Sequence, residues 1–300
     1  MIHNSIGAFL FSFLSSDKRF LARLKHIRLV ASDLDGTLLN DENGIGPESV
    51  RAIRELNSHG VALLLASGRS DGFIRHFSRA LGSPHPIVSL NGALIKDASG
   101  IVLWQSLLGI DVGARIAEIM RRHPEMDVAA FTGDGVHATG DPSELPRYLA
   151  AFPPEQRIVQ DLLPLLDRAV MCVARGTYSA IQDLSVGLAK DFHTRVDRSM
   201  YQSKSAENTY FLEIRNSGVH KGTALRFLAR HLGLRPREVA AIGDYSNDVE
   251  MLKFAGVAAA MRNGIEQVKR HADFVTRATS SEDGAAEFFA LIASAREARA

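Results

Sequence analysis

Asp33 and Asp35 stand two apart at the end of a short apolar run, Ile27-Arg28-Leu29-Val30-Ala31, and are followed at once by Gly36 and Thr37. In extended chain that spacing sends both carboxylates to the same side. Glycine then lets the backbone turn sharply, and a threonine hydroxyl can hold the turn. Two carboxylates in such a place suit a division of labour. One acts as nucleophile or metal ligand, the other as general acid and base. The same residues also fit an ordinary strand end with a polar turn, so the choice rests on what the remaining chain places beside them.

Three other positions carry polar groups where a packed sheet has no use for them. Ser67 and Gly68 end a continuous apolar run at 61–66, Lys221 opens a helical pattern, and Asp244, Asn247 and Asp248 follow the apolar run 239–242. Each has a plainer reading: Ser67 as a helix cap, Asp248 as a cap or pairing group, Lys221 as a surface lysine. The helix dipole disfavours a cation at that end, which weakens the plain reading of Lys221. In a parallel sheet the C-terminal strand tips face one crevice, and carboxylates converging there repel unless a cation sits among them. Oxygen-only donors, with no His or Cys cluster, favour Mg2+ over Zn2+. Arg69 reads as a structural or cap-facing charge, His137 and Tyr201 as ordinary surface of an inserted region, and Met171 with Cys172 as core.

The elements that must position these groups follow from periodicity. Strands are expected at 27–32, 61–66, 86–90, 210–214, 239–242, 257–261 and 274–275, helices at 47–59, 73–81, 221–232, 249–255, 264–270 and 285–293, and a hairpin at 95–104. Buried strands alternating with helices predict an α/β fold, a Rossmann-like doubly wound parallel sheet. From about Asp111 the rhythm changes. A helix near 116–120, strands at 128–132, 170–174 and 192–196, a helix at 178–188 and a run of prolines indicate a separate α+β unit. The organisation is therefore an N-terminal extension 1–26, a core formed by 27–107 and 208–300, and an inserted cap domain 108–207, with 202–208 as a linker.

Three hundred residues accommodate two domains, and a hydrophobic share of 46% supplies their cores. Lys plus Arg (35) against Asp plus Glu (34) gives net +1, without the basic patch that nucleic acid would need. The single cysteine fits a cytoplasmic protein. The apolar run 6–14 is too short to span a membrane and lacks the flanks of a signal peptide. With the amphipathic stretch 17–24 it reads as a docked or frayed helix, and secondarily as a surface anchor. Deleting 1–24 is expected to leave catalysis intact.

The motif order resembles the haloacid dehalogenase superfamily of phosphatases, and within it the Cof-like hydrolases with a large α/β cap. The resemblance rests on Asp33-Leu34-Asp35-Gly36-Thr37-Leu38-Leu39, Ala66-Ser67-Gly68-Arg69, Asn91-Gly92-Ala93, Gly218-Val219-His220-Lys221-Gly222, Gly243-Asp244 with Asn247-Asp248, and Ser281-Glu282-Asp283-Gly284. Serine at 67 stands where threonine is commoner, and His220 where the family often has a small polar residue. The resemblance implies that Asp33 attacks phosphorus and that Asp35 serves as acid and then base. It further implies that Ser67, Gly68, Lys221 and Asn247 bind phosphate, and that Asp33, Asp35 (through its backbone carbonyl), Asp244 and Asp248 hold Mg2+. The need for cations is physical: a carboxylate about 5 Å from a phosphate dianion faces roughly 7 kcal/mol of repulsion at an effective dielectric near 20.

The function expected is Mg2+-dependent hydrolysis of a small phosphorylated metabolite, sugar phosphates first, by a monomer or small homo-oligomer with no nucleic-acid partner and no stable membrane insertion. A phosphomutase would use the same aspartyl phosphate but return it to substrate. A non-catalytic phospho-ligand-binding module would keep the fold, yet both Asp33 and Asp35 are present.

Overall fold

The computed structural model describes residues 18–145, 149, 156–203 and 206–297. These form two units. The first comprises, among described residues, 18–67, 77–88 and 220–297, and the second 68–76 and 89–219.

The first unit is built on β1 (Leu29–Ser32), β2 (Ala62–Ala66), β3 (Ile87–Ser89), β12 (Val239–Gly243), β13 (Val257–Ala260) and β14 (Phe274–Val275). Their spatial order is 14-13-12-1-2-3, with every neighbouring pair parallel. All four residues of β1 are buried, as a strand covered on both faces requires. The chain winds outward from β1 through β2 and β3, then returns to the other side of β1 at β12. The tips of β1 and β12 therefore lie together at the point where strand order reverses, the place where open α/β sheets form a ligand crevice. The doubly wound sheet expected from sequence is present. Helix Gly284–Glu297 is buried along most of its length and packs on helix Pro47–Ser58.

The helix Lys18–Leu24 is docked. Phe20 and Leu24 are buried, the Phe20 ring stacks on Phe274 at 6.5 Å, and Arg23 pairs with Asp273 at 2.7 and 2.9 Å. The apolar run 6–14 lies outside the described residues. No described helix is long and apolar enough to cross a membrane.

In the second unit β4 (Leu94–Lys96) and β5 (Val102–Gln105) form the expected hairpin. A separate six-stranded sheet has the order 10-11-9-6-7-8, formed by β6 (Asp127–Thr132), β7 (Gly135–Ala138), β8 (Gln156–Ile158), β9 (Met171–Gly176), β10 (Val196–Gln202) and β11 (Tyr210–Asn216). It is antiparallel except where β7 meets β8. Helices Ile110–Arg122 and Tyr178–Phe192 cover one face, sharing a core with Val128, Ala130, Cys172, Ala174, Leu212 and Ile214. Met171 and Cys172 are both core, and burial pushes the Cys172 thiol up to about 12.

The structure differs from the sequence expectation at two segments. The apolar run at 210–214 does not resume the parallel core. It pairs antiparallel with β10 and β9, because its alternate residues Leu212 and Ile214 complete the helix-covered core. Next to it the Ser203 N–H donates to Thr209 O at 2.8 Å, extending the pairing of β10 and β11 beyond Gln202. A strand does not begin at Phe192 either. The helix capped by Thr177 runs through Phe192, and β10 starts at Val196. Strands β7 and β8 show no period in the sequence, β7 being four residues that are all buried and β8 only three.

The docked helix generates a prediction. Removing residues through Leu24 uncovers Phe274 and withdraws Phe20 and Leu24 from the core, a loss of roughly 3–6 kcal/mol. Thermal denaturation of the truncated chain should show a melting point lowered by about 10 °C or more, with the folded fraction still active. An unchanged melting point would show that the helix contributes nothing.

Candidate active site

The site is assembled at the β1/β12 tips. Past β1 the ladder continues for one more bond, the Asp33 N–H donating to Ile242 O at 3.1 Å, which fixes Asp33 against β12. The chain then folds back tightly. Leu34 O accepts from the amides of Thr37, Leu38 and Leu39 at 3.2, 2.9 and 2.8 Å. Gly36 takes φ +75°, and a Cβ there would run into Asp244 Oδ2, so only glycine lets the loop lie against that carboxylate. Thr37 Oγ1 donates to Asp244 Oδ1 at 3.0 Å. The turn hydroxyl thus has a second task, orienting a carboxylate more than two hundred positions away in the chain.

Lys221 is the first residue of helix Lys221–His231, and His220 is its N-cap. His220 Nδ1 accepts from the Thr223 N–H at 3.2 Å, while Thr223 Oγ1 accepts from the His220 N–H at 3.1 Å. This reciprocal cap gives the open role of His220 a structural answer. Gly222 lets the helix start lie against the Glu250 backbone, where a Cβ would collide with the carbonyl. Lys221 is thereby brought in fully buried, its Nζ donating to Asp33 Oδ1 at 2.6 Å and to Asp248 Oδ1 at 2.7 Å. The other oxygen of Asp248 accepts from the amides of Asp244 and Tyr245, each at 3.0 Å. Both Asp248 oxygens are therefore engaged, and the residue locks Lys221 to the loop that carries Asp244.

Asp33, Asp244 and Asp248 each offer a carboxylate oxygen within 4.8 Å of the others. Three carboxylates against one ammonium leave two negative charges uncompensated in a largely buried place. The consequence shows in their ionisation. Burial, then the Asp248 charge, raises Asp33 well above the usual carboxylate range, with Lys221 opposing and Asp244 adding. Burial and Asp248 push Asp244 up to about 6, against the hydrogen bonds from Thr37 and Asp33 and the charge of Lys221. Burial alone would lower Lys221, but Asp248 and Asp33 outweigh it and raise it. An acidic oxygen cluster of this kind is able to hold a metal ion, and the charge it lacks is that of a divalent cation.

Of the residues expected from sequence, Asp33, Lys221, Asp244 and Asp248 are brought into one network. Asp35 is half-buried on the turn beside them, and its carboxylate is not one of the three clustered groups. Ser67 is buried at the tip of β2, neighbour to β1, its N–H donating to Val88 O at 3.0 Å. Asn247 lies half-buried on the short turn Ser246–Asp248. Gly68 belongs to the second unit, where its Cα faces the Asn91 side chain. Arg69 lays its guanidinium 4.3 Å over the Phe73 ring. The Ser281-Glu282-Asp283-Gly284 motif is a brace: Asp283 accepts from the Glu48 N–H at 3.1 Å and Ser49 Oγ at 2.8 Å, capping helix Pro47–Ser58. Asn263 was not anticipated. Its Nδ2 donates to Gly36 O at 2.7 Å and its Oδ1 accepts from the Ser280 N–H at 3.0 Å, tying the Asp35-Gly36 turn to that brace. The only signal was an Asn-Gly pair after an apolar strand.

The network predicts a pH-dependent cost for losing its cation. In Lys221→Met, Asp33 and Asp248 are left facing each other without a counter-charge, costing about 3–5 kcal/mol near pH 7.5. The Asp33 pKa is raised on folding, so protonation relieves the repulsion as pH falls. Denaturant titrations of metal-free protein should therefore show the variant's deficit shrinking by pH 5. A deficit independent of pH would mean that Lys221 acts through packing alone.

The chain is similar to known proteins over most of its length. Residues 30–289 match the family model of haloacid dehalogenase-like hydrolases. An HMP-PP phosphatase of Serratia proteamaculans is 32% identical over 250 residues, covering 81% of this chain and 86% of that protein. A Bacillus subtilis 5-amino-6-(5-phospho-D-ribitylamino)uracil phosphatase is 30% identical over 268 residues, 87% of this chain and 95% of that one. The crystal structure of a Thermotoga maritima protein superposes with a TM-score of 0.75 at 27% identity, covering 88% of this chain and 96% of that chain. With a parallel sheet, an acidic cluster at its switch point and a match over most of its length, the chain belongs to the haloacid dehalogenase-like hydrolases, on their phosphatase branch.

Proposed function

We propose that this phosphatase of small phosphorylated metabolites hydrolyses phosphomonoesters through an aspartyl phosphate on Asp33, with Mg2+ as cofactor. The observation that carries the reading is the Lys221 bridge. It ties Asp33 Oδ1 at 2.6 Å, holding that carboxylate at the tip of β1 with positive charge beside it.

Asp33 Oδ2 forms a bond to phosphorus while the bond to the ester oxygen breaks, and Asp35 gives the departing alkoxide its proton. Asp35, now a carboxylate, takes a proton from water as the water oxygen bonds to phosphorus. The Asp33–phosphorus bond breaks, releasing inorganic phosphate and restoring the carboxylate. Lys221 holds Asp33 in place and keeps positive charge beside it, while Ser67, the Gly68 amide and Asn247 bind and orient phosphate oxygens. Asp33 and Asp244, with the Asp35 backbone carbonyl, would hold Mg2+, which supplies the positive charge that the carboxylates and the phosphate dianion require. Asp248 serves that site by fixing Lys221 and the Asp244 amide.

The inserted region 108–207 is proposed to choose the leaving alcohol. Sugar or polyol phosphates are the first candidates, in keeping with a relative whose name carries a phosphoribityl group.

The test exploits the leaving group. With Mg2+ the parent enzyme should release phosphate from both alkyl and p-nitrophenyl esters, and lose that activity in EDTA. Asp35→Asn should slow the first step on alkyl esters by about 10²–10⁴. p-Nitrophenolate leaves without a proton, so that ester should give a burst followed by slow turnover. Equal losses on both esters would contradict the role given to Asp35, and full activity in EDTA would contradict the metal.

A further inference from the structure

One end of the six-stranded sheet gathers charged side chains that the proposed chemistry does not use, all of them within the second unit. His137 on β7 stands opposite Ala130 on β6 and beside Arg157 on β8, and residues in register share a sheet face. Ala130 belongs to the core under the helices, so His137 and Arg157 lie on that side of the sheet. Asp134 sits in the two-residue turn that joins β6 to β7. Arg168 arrives just after the short helix Leu163–Leu166, its backbone N–H donating to Leu165 O at 3.1 Å.

These side chains converge on Asp134. Its Oδ1 accepts from Thr132 Oγ1 at 2.6 Å and from Arg168 Nη2 at 3.5 Å. Arg157 Nη1 stands 3.7 Å from Oδ2, beyond hydrogen-bond reach. The Thr132 hydrogen bond holds the Asp134 carboxyl below its usual range, with burial opposing and the Arg168 and His137 charges adding. His137, expected at the surface, is instead buried, its side chain only 5% exposed. Its Nε2 lies 3.6 Å from Asp134 Oδ1 and has no hydrogen-bond partner among the described residues.

The imbalance is one of donors. An imidazole nitrogen that faces a carboxylate is better placed as a donor than as a lone pair, and a buried donor without an acceptor is costly. Two guanidiniums against one carboxylate also leave positive charge over, which disfavours a metal ion here. What completes such a place is an anion rich in acceptors. A carboxylate brings two oxygens, whereas a phosphoryl group brings three, enough to meet two guanidinium forks and an imidazole N–H together.

We propose that Arg157 and Arg168, anchored by Asp134 and backed by His137, bind a phosphoryl group on the second unit, at a site that uses none of the residues assigned to the reaction. The site lies within one unit and does not depend on the phosphatase reading.

Inorganic phosphate is the probe. In the full chain carrying isotope-labelled histidine, the His137 imidazole resonance is assigned by its disappearance in His137→Gln. Titration with phosphate at constant pH should shift that resonance saturably, while chloride at matched ionic strength leaves it in place and acetate acts more weakly. Arg157 and Arg168 are each more than half exposed, so Arg157→Gln/Arg168→Gln should keep the parent's melting point, with half-saturation raised about tenfold or more. Should that chain not fold, Arg168→Lys, which keeps the charge but loses the planar fork, must raise half-saturation as well. A His137 resonance that phosphate does not move, or moves no further than chloride does, overturns the proposal. So does an unchanged response in the substituted chain, which would place the phosphate elsewhere. Acetate that binds as tightly as phosphate overturns the phosphoryl preference.

Discussion

A single buried ammonium holds the acidic cluster at the β1 and β12 tips together. Lys221 lies between Asp33 and Asp248, at 2.6 and 2.7 Å, with no solvent exposure. A lysine at the first position of a helix opposes the helix dipole, and burial opposes its charge. Only the two carboxylates make the position tolerable, and they in turn repel each other without it. Each member of the triad is thus a condition for the other two. The surroundings follow from that dependence: the His220 cap fixes the helix start, Gly222 allows its close approach, and the Asp244 and Tyr245 amides occupy the remaining oxygen of Asp248. Stability and reactivity meet here, since the network leaves Asp33 partly neutralised and Asp244 poised near 6, short of positive charge.

The sheet brings the acidic groups together. Reversal of strand order at β1 brings Asp33 and Asp244 together from the tips of adjacent strands, although they are far apart in the chain. Backbone geometry then sets the spacing. Gly36 lets the first loop lie against Asp244, Thr37 orients that carboxylate, and Asn263 ties the loop to the segment whose Asp283 caps helix Pro47–Ser58. The loop after β1 is accordingly held from two places, Asp244 and Asn263.

The parts of this arrangement that were legible in the sequence are those written locally. Asp33 and Asp35 announce themselves by spacing two at the end of an apolar run, and Asp244 and Lys221 by standing at element ends where packing needs no charge. The buried strands of the parallel sheet show as continuous apolar runs for the same reason. What depended on pairing across the chain was not legible. The run at 210–214 looks like a core strand in isolation, and only its register with β9 and β10 assigns it to the second sheet. The histidine at 220 gave no sign of being a cap, because its imidazole does what Ser, Thr, Asp or Asn usually does. Nor did the late Ser-Glu-Asp-Gly stretch show that its aspartate acts on a helix start some 235 positions earlier.

Asp33, held by Lys221 through one oxygen, is proposed to form the covalent bond to phosphorus with the other. Acid quench of the enzyme during turnover of a radiolabelled phosphomonoester, followed by proteolysis and peptide mapping, tests it directly. The label should reside on the peptide containing Asp33, be released by hydroxylamine as an acyl phosphate is, and be absent from Asp33→Asn. Label on any other residue, or its persistence in Asp33→Asn, would contradict the account.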